Sequence, residues 1–235
     1  ADLMVNGRHA GEHRGGNNAF EFEITRLLDY GGKNLLWVVV NNAVRLDVLP
    51  TAGEDNVYGG LFREVEIVVT EPAAIGFDGY GGCGVRFTAE RVDSLCASGV
   101  ASVAVNIPEG RPVQLDLSIR DARDSVVFAG HSKYRAPTGV SVAELPFEVE
   151  RPHLWQGTED PYLYTVTVAL ADGPRTDSVT FRTGLRAFSA DAVQGFFLNG
   201  KRYPLRGVVV WRDRAGSGPV CGVRELRRDV ELIRE

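Results

Sequence analysis

The sequence is poor in the residue types that mark several common protein classes. It has three cysteines (Cys83, Cys96 and Cys221) and no CxxC pair, which argues against a disulfide framework and a zinc site. Lys and Arg total 26 against 31 Asp and Glu, and the net charge of −5 argues against a nucleic-acid-binding face. No apolar run approaches the roughly 20 residues of a transmembrane helix. The sequence therefore predicts no metal, no nucleic-acid partner and no membrane span.

The start of the sequence leaves the cellular compartment undetermined. It opens with Ala-Asp, and no charged leader followed by an apolar stretch is visible. We expect a protein that is not membrane-bound, but the sequence does not distinguish a cytoplasmic from a periplasmic or secreted location.

Short strands joined by tight turns are the dominant pattern. The 27 Gly and 11 Pro are spread along the chain, as in a protein of many short strands. In residues 1–71, Asn6-Gly7 predicts a two-residue hairpin. Residues 19–25 and 61–70 alternate apolar and charged residues, which predicts half-buried strands, and the apolar run 34–42 predicts a strand buried on both faces. Four or five strands are about half of an eight-stranded jelly roll.

The middle of the chain predicts a second, more regular β-domain. Seven candidate strands lie within residues 84–183, and the alternation at 113–119 and 164–170 is nearly strict. This number and size of strands is typical of an immunoglobulin-like sandwich, without the Cys–Trp–Cys hallmark. After residue 186 the pattern changes to a hairpin at Asn199-Gly200, an apolar strand at 205–211 and an amphipathic helix at 223–235. A strand, a loop and a helix are the opening of a βα repeat.

Four phrases, in order, resemble family 2 glycoside hydrolases of the β-galactosidase type. They are VNGRHAGEHRGGNNAFEFEIT (5–25), NVYGGLFREVEIVV (56–69), RPHLWQGTEDPYLYTVTVAL (151–170) and FRTGLRAFSADAVQGFFLNGKRYPLRGV (181–208). The resemblance implies a mainly β fragment with three parts. Residues 1–71 would be the C-terminal part of a jelly-roll, galactose-binding-like sugar-binding domain, 72–186 an immunoglobulin-like β-sandwich, and 187–235 a hairpin linker with the start of a truncated TIM-barrel catalytic domain.

The implied parent enzyme is a retaining glycosidase, which needs two carboxyl groups about 5 Å apart. In the family both lie on later strands of a barrel of about 250 residues. None of the 31 acidic residues here lies in a context that resembles either catalytic motif. We therefore expect this chain alone not to hydrolyse a glycoside.

Four residues are candidate sugar contacts, all by resemblance. An acidic residue six positions before the Gly-Leu-Phe-Arg motif holds substrate, and in some members a cation. Here that residue is Glu54, where the family usually has Asp, and Asp55 follows it. Carboxylates accept hydrogen bonds from sugar hydroxyls and can ligate a cation such as Na⁺, Mg²⁺ or Ca²⁺. The alternative is that both are solvated turn residues. Asn18 lies in a loop that borders the family's sugar site.

The fourth candidate, Trp211, departs from the family pattern. After Leu-Arg-Gly-Val the family commonly has Asn, a variable residue and a sugar-binding His, whereas this chain has Val209 and Trp211. Trp211 could stack on a sugar face, or it simply packs. Arg63 is interpreted as a structural ion-pair partner near a domain junction. Its alternative role, binding a substrate carboxylate, would favour a glucuronidase.

Three functions remain open at this point. The first is the non-catalytic portion of an enzyme that hydrolyses terminal β-galactosides, with a β-galactoside or oligosaccharide, the remainder of the catalytic barrel and a homo-oligomer as partners. A β-glucuronidase or β-mannosidase relative is a variant of it. The second is a carbohydrate-binding or scaffolding module without turnover, which Val209 and Trp211 motivate. An adhesion domain explains only the middle segment.

Overall fold

The computed structural model describes residues 1–16, 18–48, 58–76, 81–210 and 213–234. Within them the chain is mainly β, as predicted, and every described pair of strands is antiparallel. The chain divides into two compact units, one of Ala1–Val68 with Arg206–Glu235 and the other of Val69–Leu205. Each unit is described by itself.

The second unit contains two four-stranded sheets built on long, alternating strands. The first sheet consists of β4 (Ala74–Ile75), β5 (Val85–Val92), β6 (Cys96–Ile107) and β9 (Gly139–Glu150). In it β6 pairs with β9 along its whole length, and also with β5 and then β4. The second sheet has the order β11 (Arg175–Thr183), β10 (Tyr164–Asp172), β7 (Pro112–Arg120) and β8 (Val126–Arg135). The seven strands predicted between residues 84 and 183 are all present.

The two sheets share one hydrophobic core, because alternate residues of each strand point into it. The predicted alternation is confirmed, since every second residue of 113–119 and of 164–170 is buried. The ring of Phe87 in the first sheet stacks on Phe147 at a centroid distance of 4.2 Å and meets Phe181 of the second sheet edge-on at 6.2 Å. These contacts make the second unit a β-sandwich.

A small three-stranded sheet completes the second unit. It consists of β12 (Phe188–Asp191), β13 (Gly195–Leu198) and β14 (Lys201–Arg202) in that order. The predicted hairpin turn at Asn199-Gly200 is confirmed. Its two residues have φ of 50° and 75°, the left-handed values that a two-residue turn requires.

The first unit contains a three-stranded sheet with the order β2 (Arg8–Glu12), β1 (Asp2–Val5) and β3 (Leu36–Val39). The predicted hairpin at Asn6-Gly7 is confirmed, with φ of 51° and 77°. The prediction that the apolar run 34–42 is a strand buried on both faces is wrong. Only its centre, β3, is a strand, and Trp37 is 64% exposed, because the described residues leave its face of the sheet largely uncovered.

Residues 19–25 are not among the strands that the structure describes, although the sequence predicts one there. The segment ends in a short 3₁₀-helix, Thr25–Leu27. The alternation still has a physical cause, because the ring of Phe22 lies directly against Gly11 of β2. Phe20 stacks on His13 at a centroid distance of 4.4 Å. The two phenylalanines therefore pack on β2 and on the residue that follows it.

Residues 61–70 and 205–210 do not form the strands that their apolar patterns predict. The residues expected to face inward, Val65, Ile67 and Val69, are 70%, 64% and 88% exposed. A strand needs a neighbour to satisfy its backbone groups, and among the described residues neither segment has one. The apolar residues of both patterns are therefore exposed in the part of the chain that the structure describes.

The predicted terminal helix is confirmed as α1 (Val223–Arg234). Its apolar face, formed by Val223, Leu226, Val230 and Ile233, is exposed. In the part of the chain that the structure describes, no helix has the length and apolar character needed to cross a membrane.

Candidate functional site

The predicted sugar contacts divide into those that the structure describes and those that it does not. Glu54, Asp55 and Trp211 lie outside the described residues. Asn18 is exposed in the loop after β2, and Val209 is 82% exposed. The structure therefore places Asn18 and Val209 on the surface and leaves the other three as predictions.

The segments that follow the undescribed stretches 49–57 and 211–212 come together in the first unit. Arg63 donates a hydrogen bond from Nη1 to the carbonyl of Pro219, 2.6 Å away and 156 positions along the chain. A second bond from Nη1 reaches the carbonyl of Phe62 at 3.2 Å. Among the described residues the partners of Arg63 are these two backbone carbonyls, and its predicted ion pair stays a prediction.

Two aromatic residues pack around this contact. The Arg63 guanidinium lies 5.1 Å from the centroid of the Phe62 ring. The ring of Phe62 in turn meets Tyr58 edge-on at 6.4 Å. Tyr58 also lies beside the turn before α1, where a Cβ at Gly218 would be 3.9 Å from its ring. Sequence reasoning missed this cluster, because no local pattern signals a contact between residues so distant along the chain.

The turn that receives Arg63 is itself tied to helix α1. The amide of Gly218 donates to the carbonyl of Arg214 at 2.9 Å, and the amide of Arg214 donates to the carbonyl of Gly218 at 3.0 Å. The Arg214 side chain forms an ion pair with Asp229 of α1. This ion pair gives Arg214 a structural contact with the helix.

A charged cluster joins the loop after β2 to residues 45–47. Arg14 contacts Glu12 at 2.7 Å and Asp47 at 3.5 Å, and Arg45 binds Asp47 at 2.9 Å. The hydrogen bond from Arg14 lowers the pKa of Glu12, and the hydrogen bond from Arg45 lowers the pKa of Asp47. Both carboxyl groups are therefore ionised at neutral pH and serve as acceptors.

The imidazole of His13, just after β2, is partly buried and stacks on the ring of Phe20. Burial lowers its pKa, so the imidazole is neutral at pH 7. Its buried Nε2 has no hydrogen-bond partner among the described residues. His13 thus packs on Phe20 as an aromatic ring and is not a cation.

In the second unit, side-chain hydrogen bonds connect the segments 151–170 and 181–208, where the sandwich meets the hairpin. Asn199 donates from Nδ2 to the carbonyl of Trp155 at 2.9 Å and to Oε1 of Gln156 at 3.1 Å. Its Oδ1 accepts a bond from the amide of Ala187 at 3.0 Å. Each phrase thus supplies one side of a structural clamp.

The other Asn-Gly turn is built in the same way. In the first unit, Asn6 Nδ2 donates to the carbonyl of Leu27 at 3.0 Å and to Oδ1 of Asn34 at 2.8 Å, and Asn6 Oδ1 accepts from the amide of Leu35 at 2.9 Å. The Asn of each hairpin therefore does more than permit a turn, since it fastens a distant loop to the turn.

An open groove of about 490 Å³ lies on the hairpin of the second unit. It is lined by Gln194, Gly195, Phe196, Arg202, Tyr203, Pro204 and Leu205. The lining offers apolar surface, the amide of Gln194, the guanidinium of Arg202 and the phenol of Tyr203, and no carboxyl group.

Hydrogen bonds shift the pKa of some of the described carboxyl groups. Five of them, namely Glu12, Asp47, Asp93, Asp172 and Asp191, have a shifted pKa, and in all five it is lowered by hydrogen bonds from side chains or backbone amides. A glycosidase general acid requires the opposite, a raised pKa. Among the described residues no cluster of three or more His, Cys, Asp or Glu could hold a metal ion. The cation implied by resemblance stays a prediction attached to Glu54.

The comparisons with known proteins agree on one family. Residues 84–186, most of the sandwich, match the model of glycosyl hydrolases family 2. The chain is 39% identical over its whole length to a β-glucuronidase of Bacteroides fragilis and spans 34% of that relative.

Solved structures extend the likeness to the fold. A crystal structure of a putative β-galactosidase from Bacteroides fragilis matches 99% of this chain with a TM-score of 0.93 and 32% identity, and 35% of that protein is covered. Bacteroides uniformis β-glucuronidase 2, covalently bound to cyclophellitol-6-carboxylate aziridine, matches 99% of this chain with a TM-score of 0.88 and 28% identity, with 28% of that protein covered. The chain therefore spans about a third of the length of the relatives that it matches, and it belongs to glycosyl hydrolases family 2.

Proposed function

We propose that this chain is the non-catalytic portion of a retaining family 2 glycosidase whose full-length form hydrolyses terminal β-galactosides. Its three parts would be the end of a jelly-roll sugar-binding domain (1–71), an immunoglobulin-like sandwich (72–186), and a hairpin linker with the first βα unit of a TIM barrel (187–235). The observation that carries the proposal is the likeness to family 2 glycosidases along the whole chain, which spans about a third of their length.

In this proposal the chemistry is divided between this chain and the rest of the enzyme. A retaining glycosidase uses one carboxylic acid to protonate the leaving oxygen and one carboxylate as nucleophile, about 5 Å apart. The remainder of the barrel would supply both. Glu54, Asp55 and Asn18 would hydrogen-bond to sugar hydroxyls, and Trp211 would stack on the apolar face of a pyranose. This chain would thus orient the sugar and take no part in proton transfer.

The exposed apolar faces support the barrel as the partner. The alternating face of Val65, Ile67 and Val69 and the apolar stripe of α1 are exposed. Patterned faces of this kind bury against another element in stable domains. We propose that the remaining strands and helices of a family 2 protein cover them, and that a second copy of the enzyme is a further partner.

A second sugar is favoured by a specific observation. The relative with 39% identity over the whole chain is a β-glucuronidase. The parent would then act on β-glucuronides, whose carboxylate needs a cationic partner. A third candidate, a carbohydrate-binding module without turnover, is favoured by Val209 and Trp211 at positions where the family has Asn and His.

One set of assays tests all three candidates. The 235-residue chain and the full-length protein that contains it are each incubated with 4-nitrophenyl β-D-galactoside and 4-nitrophenyl β-D-glucuronide. We expect no turnover by the chain, and turnover of the galactoside by the full-length protein. Turnover of the glucuronide alone would select the second candidate.

If the full-length protein hydrolyses neither substrate but binds lactose in calorimetry, the third candidate, a carbohydrate-binding module without turnover, is selected. Hydrolysis by the purified chain would contradict the division of labour between chain and barrel. In an active full-length protein, Trp211→Ala tests whether Trp211 contacts the sugar. We expect Trp211→Ala to raise KM and the control Trp37→Ala to leave KM unchanged.

A further inference from the structure

The outer face of the first sheet of the sandwich, which is turned away from the core, carries a regular pattern of charges. One row across this face consists of Arg86 on β5, Ser102 on β6 and Glu144 on β9. Arg86 pairs with Ser102, and Ser102 pairs with Glu144. The charged residues are exposed, whereas the next residues along the strands face the core, as the buried Leu145 does. In the described part of the chain, neither Arg86 nor Glu144 forms an ion pair.

A second row repeats the same order of charges. Arg91 of β5 pairs with Ser98 of β6, and Ser98 pairs with Glu148 of β9. Arg91 and Glu148 are exposed as well, and Arg91 also forms an ion pair with Asp93 at 3.0 Å. The face therefore has a basic strip on β5 and an acidic strip on β9, with small neutral side chains of β6 between them.

A face with this pattern is complementary to itself. A two-fold rotation about an axis along β6 lays a second copy on the face and places β5 of each copy over β9 of the other. Arg86 then meets Glu144 of the second copy, within the same row. Stacked sheets lie about 10 Å apart, and side chains that stand perpendicular to both sheets span this gap from its two sides. A two-fold axis across the strands would instead bring Arg86 over Arg91, where like charges repel.

The size of the face limits the strength of such a contact. β5, β6 and β9 have 8, 12 and 12 residues, which corresponds to roughly 500 Å² of sheet. Standard interfaces bury about 800 Å² per partner, and exposed ion pairs stabilise little. Val140 and Val142 of β9 lie on the same face, are 55% and 58% exposed, and add apolar area. The face therefore fits a weak, salt-sensitive contact.

We propose that the outer face of β5, β6 and β9 binds the same face of a second copy of this chain, in a dimer whose two-fold axis runs along β6. The inference rests on the part of the proposed function that names a second copy as a partner. It is independent of the sugar and of the catalytic carboxyl groups. We expect a dissociation constant in the micromolar range that rises about tenfold or more between about 0.05 M and about 0.5 M NaCl.

Sedimentation velocity of the 235-residue chain over a concentration series tests the surface. Arg86→Glu and Glu144→Arg each place like charges opposite one another in one row, and each should weaken the dimer on the order of tenfold or more. The double variant Arg86→Glu/Glu144→Arg reverses the row, so its copies are complementary again and should associate as the wild type does. An equimolar mixture of the two single variants should form a heterodimer for the same reason.

Lys133→Glu is the matched control. Lys133 is an exposed residue of β8 in the second sheet, and its reversal changes the net charge as much as Arg86→Glu does. We expect Lys133→Glu to associate as the wild type does. Circular dichroism checks that each variant is folded. If a single reversal does not fold, Arg86→Gln and Glu144→Gln take its place, and each should weaken the dimer about threefold, because they remove an attraction without adding a repulsion.

The full-length protein that contains this chain undergoes the same measurements, because other parts of the parent are the competing occupants of the face. We expect the same order of variants. A full-length protein that stays monomeric while the 235-residue chain dimerises would show that the rest of the parent covers the face, and this result would overturn the proposal.

The remaining outcomes separate this inference from the proposed function. Self-association that both single reversals leave unchanged overturns the proposed surface but keeps a second copy as a partner. Absence of self-association in both proteins up to about 1 mM removes both the surface and the second copy. Failure of the full-length protein to hydrolyse a glycoside refutes the proposed activity alone, since sedimentation does not depend on turnover.

Discussion

Replacement of Asn199 by alanine is expected to destabilise the β-sandwich unit strongly, although Asn199 lies in a hairpin turn where polar residues are usually replaceable. Its side chain makes three hydrogen bonds, to the carbonyl of Trp155, to Gln156 and from the amide of Ala187. Alanine removes all three and leaves the carbonyl and the amide without these partners. The perturbation is therefore the loss of a clamp between the hairpin and the sandwich.

The size of the effect follows from the contacts. Each intramolecular hydrogen bond contributes about 1 kcal/mol net, so three contribute about 3 kcal/mol. Asn199 has φ of 50°, a left-handed conformation that costs alanine about 1 kcal/mol. Asn199→Ala should thus lower the free energy of unfolding by about 4 kcal/mol. Asn199→Gly loses the bonds but tolerates the turn, and should lose about 3 kcal/mol.

The assay is hydrogen exchange at the core amides of β7 and β10, which reports the free energy of unfolding of this unit separately from the rest of the chain. Urea unfolding followed by circular dichroism provides the m value as a check on two-state behaviour. Val193→Ala is the control, because Val193 is an exposed residue in the turn between β12 and β13 of the same small sheet, and its truncation should change stability by less than about 0.5 kcal/mol.

Losses below about 1 kcal/mol in both Asn199 variants, with an unchanged m value, would refute the reasoning. Water would then replace the three bonds without net cost, and the Asn-Gly sequence would serve the turn alone. A loss in Asn199→Ala without a loss in Asn199→Gly would assign the whole effect to the backbone conformation.

Two further changes are expected to affect stability. Gly157→Ala should cost about 2–4 kcal/mol in urea unfolding, because Gly157 has φ of 69° and an added Cβ would lie 2.3 Å from the hydroxyl of Tyr203. Gly200→Ala, with φ of 75° and open space around its Cβ position, should cost only the conformational part, and equal losses in both would contradict the clash. Asp172→Asn should destabilise the unit at pH 7 but less and less as pH falls below about 4. The hydrogen bond from Arg111 lowers the pKa of Asp172 in the folded state, so the stabilisation exists above the unfolded pKa and is lost as pH falls through the folded pKa. A difference between wild type and variant that does not shrink as pH falls from about 5 to about 2 would contradict this assignment.

The sandwich was the most predictable part of the chain. The alternation at 113–119 and 164–170 predicts strands with one buried face, and the structure has them, because a face buried by a second sheet within the same unit leaves a period of two in the sequence. The two Asn-Gly hairpins were predictable for a different reason, since a two-residue turn requires left-handed backbone at both positions and Asn-Gly adopts it readily.

The first unit was less predictable. Its apolar patterns predict buried faces, but none of the described residues cover those faces. Residues 61–70 alternate like a half-buried strand, yet Val65, Ile67 and Val69 are exposed. The pattern encodes which residues prefer burial, and it does not encode what buries them. The same holds for the apolar stripe of α1.

Of the candidate site, the sequence alone predicts by resemblance that Asn18, Glu54, Asp55 and Trp211 contact the sugar, and these contacts stay predictions. Only the tertiary structure decided which distant segments meet: Arg63 with Pro219, and Asn199 with Trp155. The physical reason is that hairpins and strand alternation arise from forces between near neighbours, which leave a periodic trace in the sequence. A hydrogen bond between an arginine and a carbonyl 156 positions away leaves no such trace. Every residue has the same backbone carbonyl, and only the tertiary structure decides which of them meets the arginine.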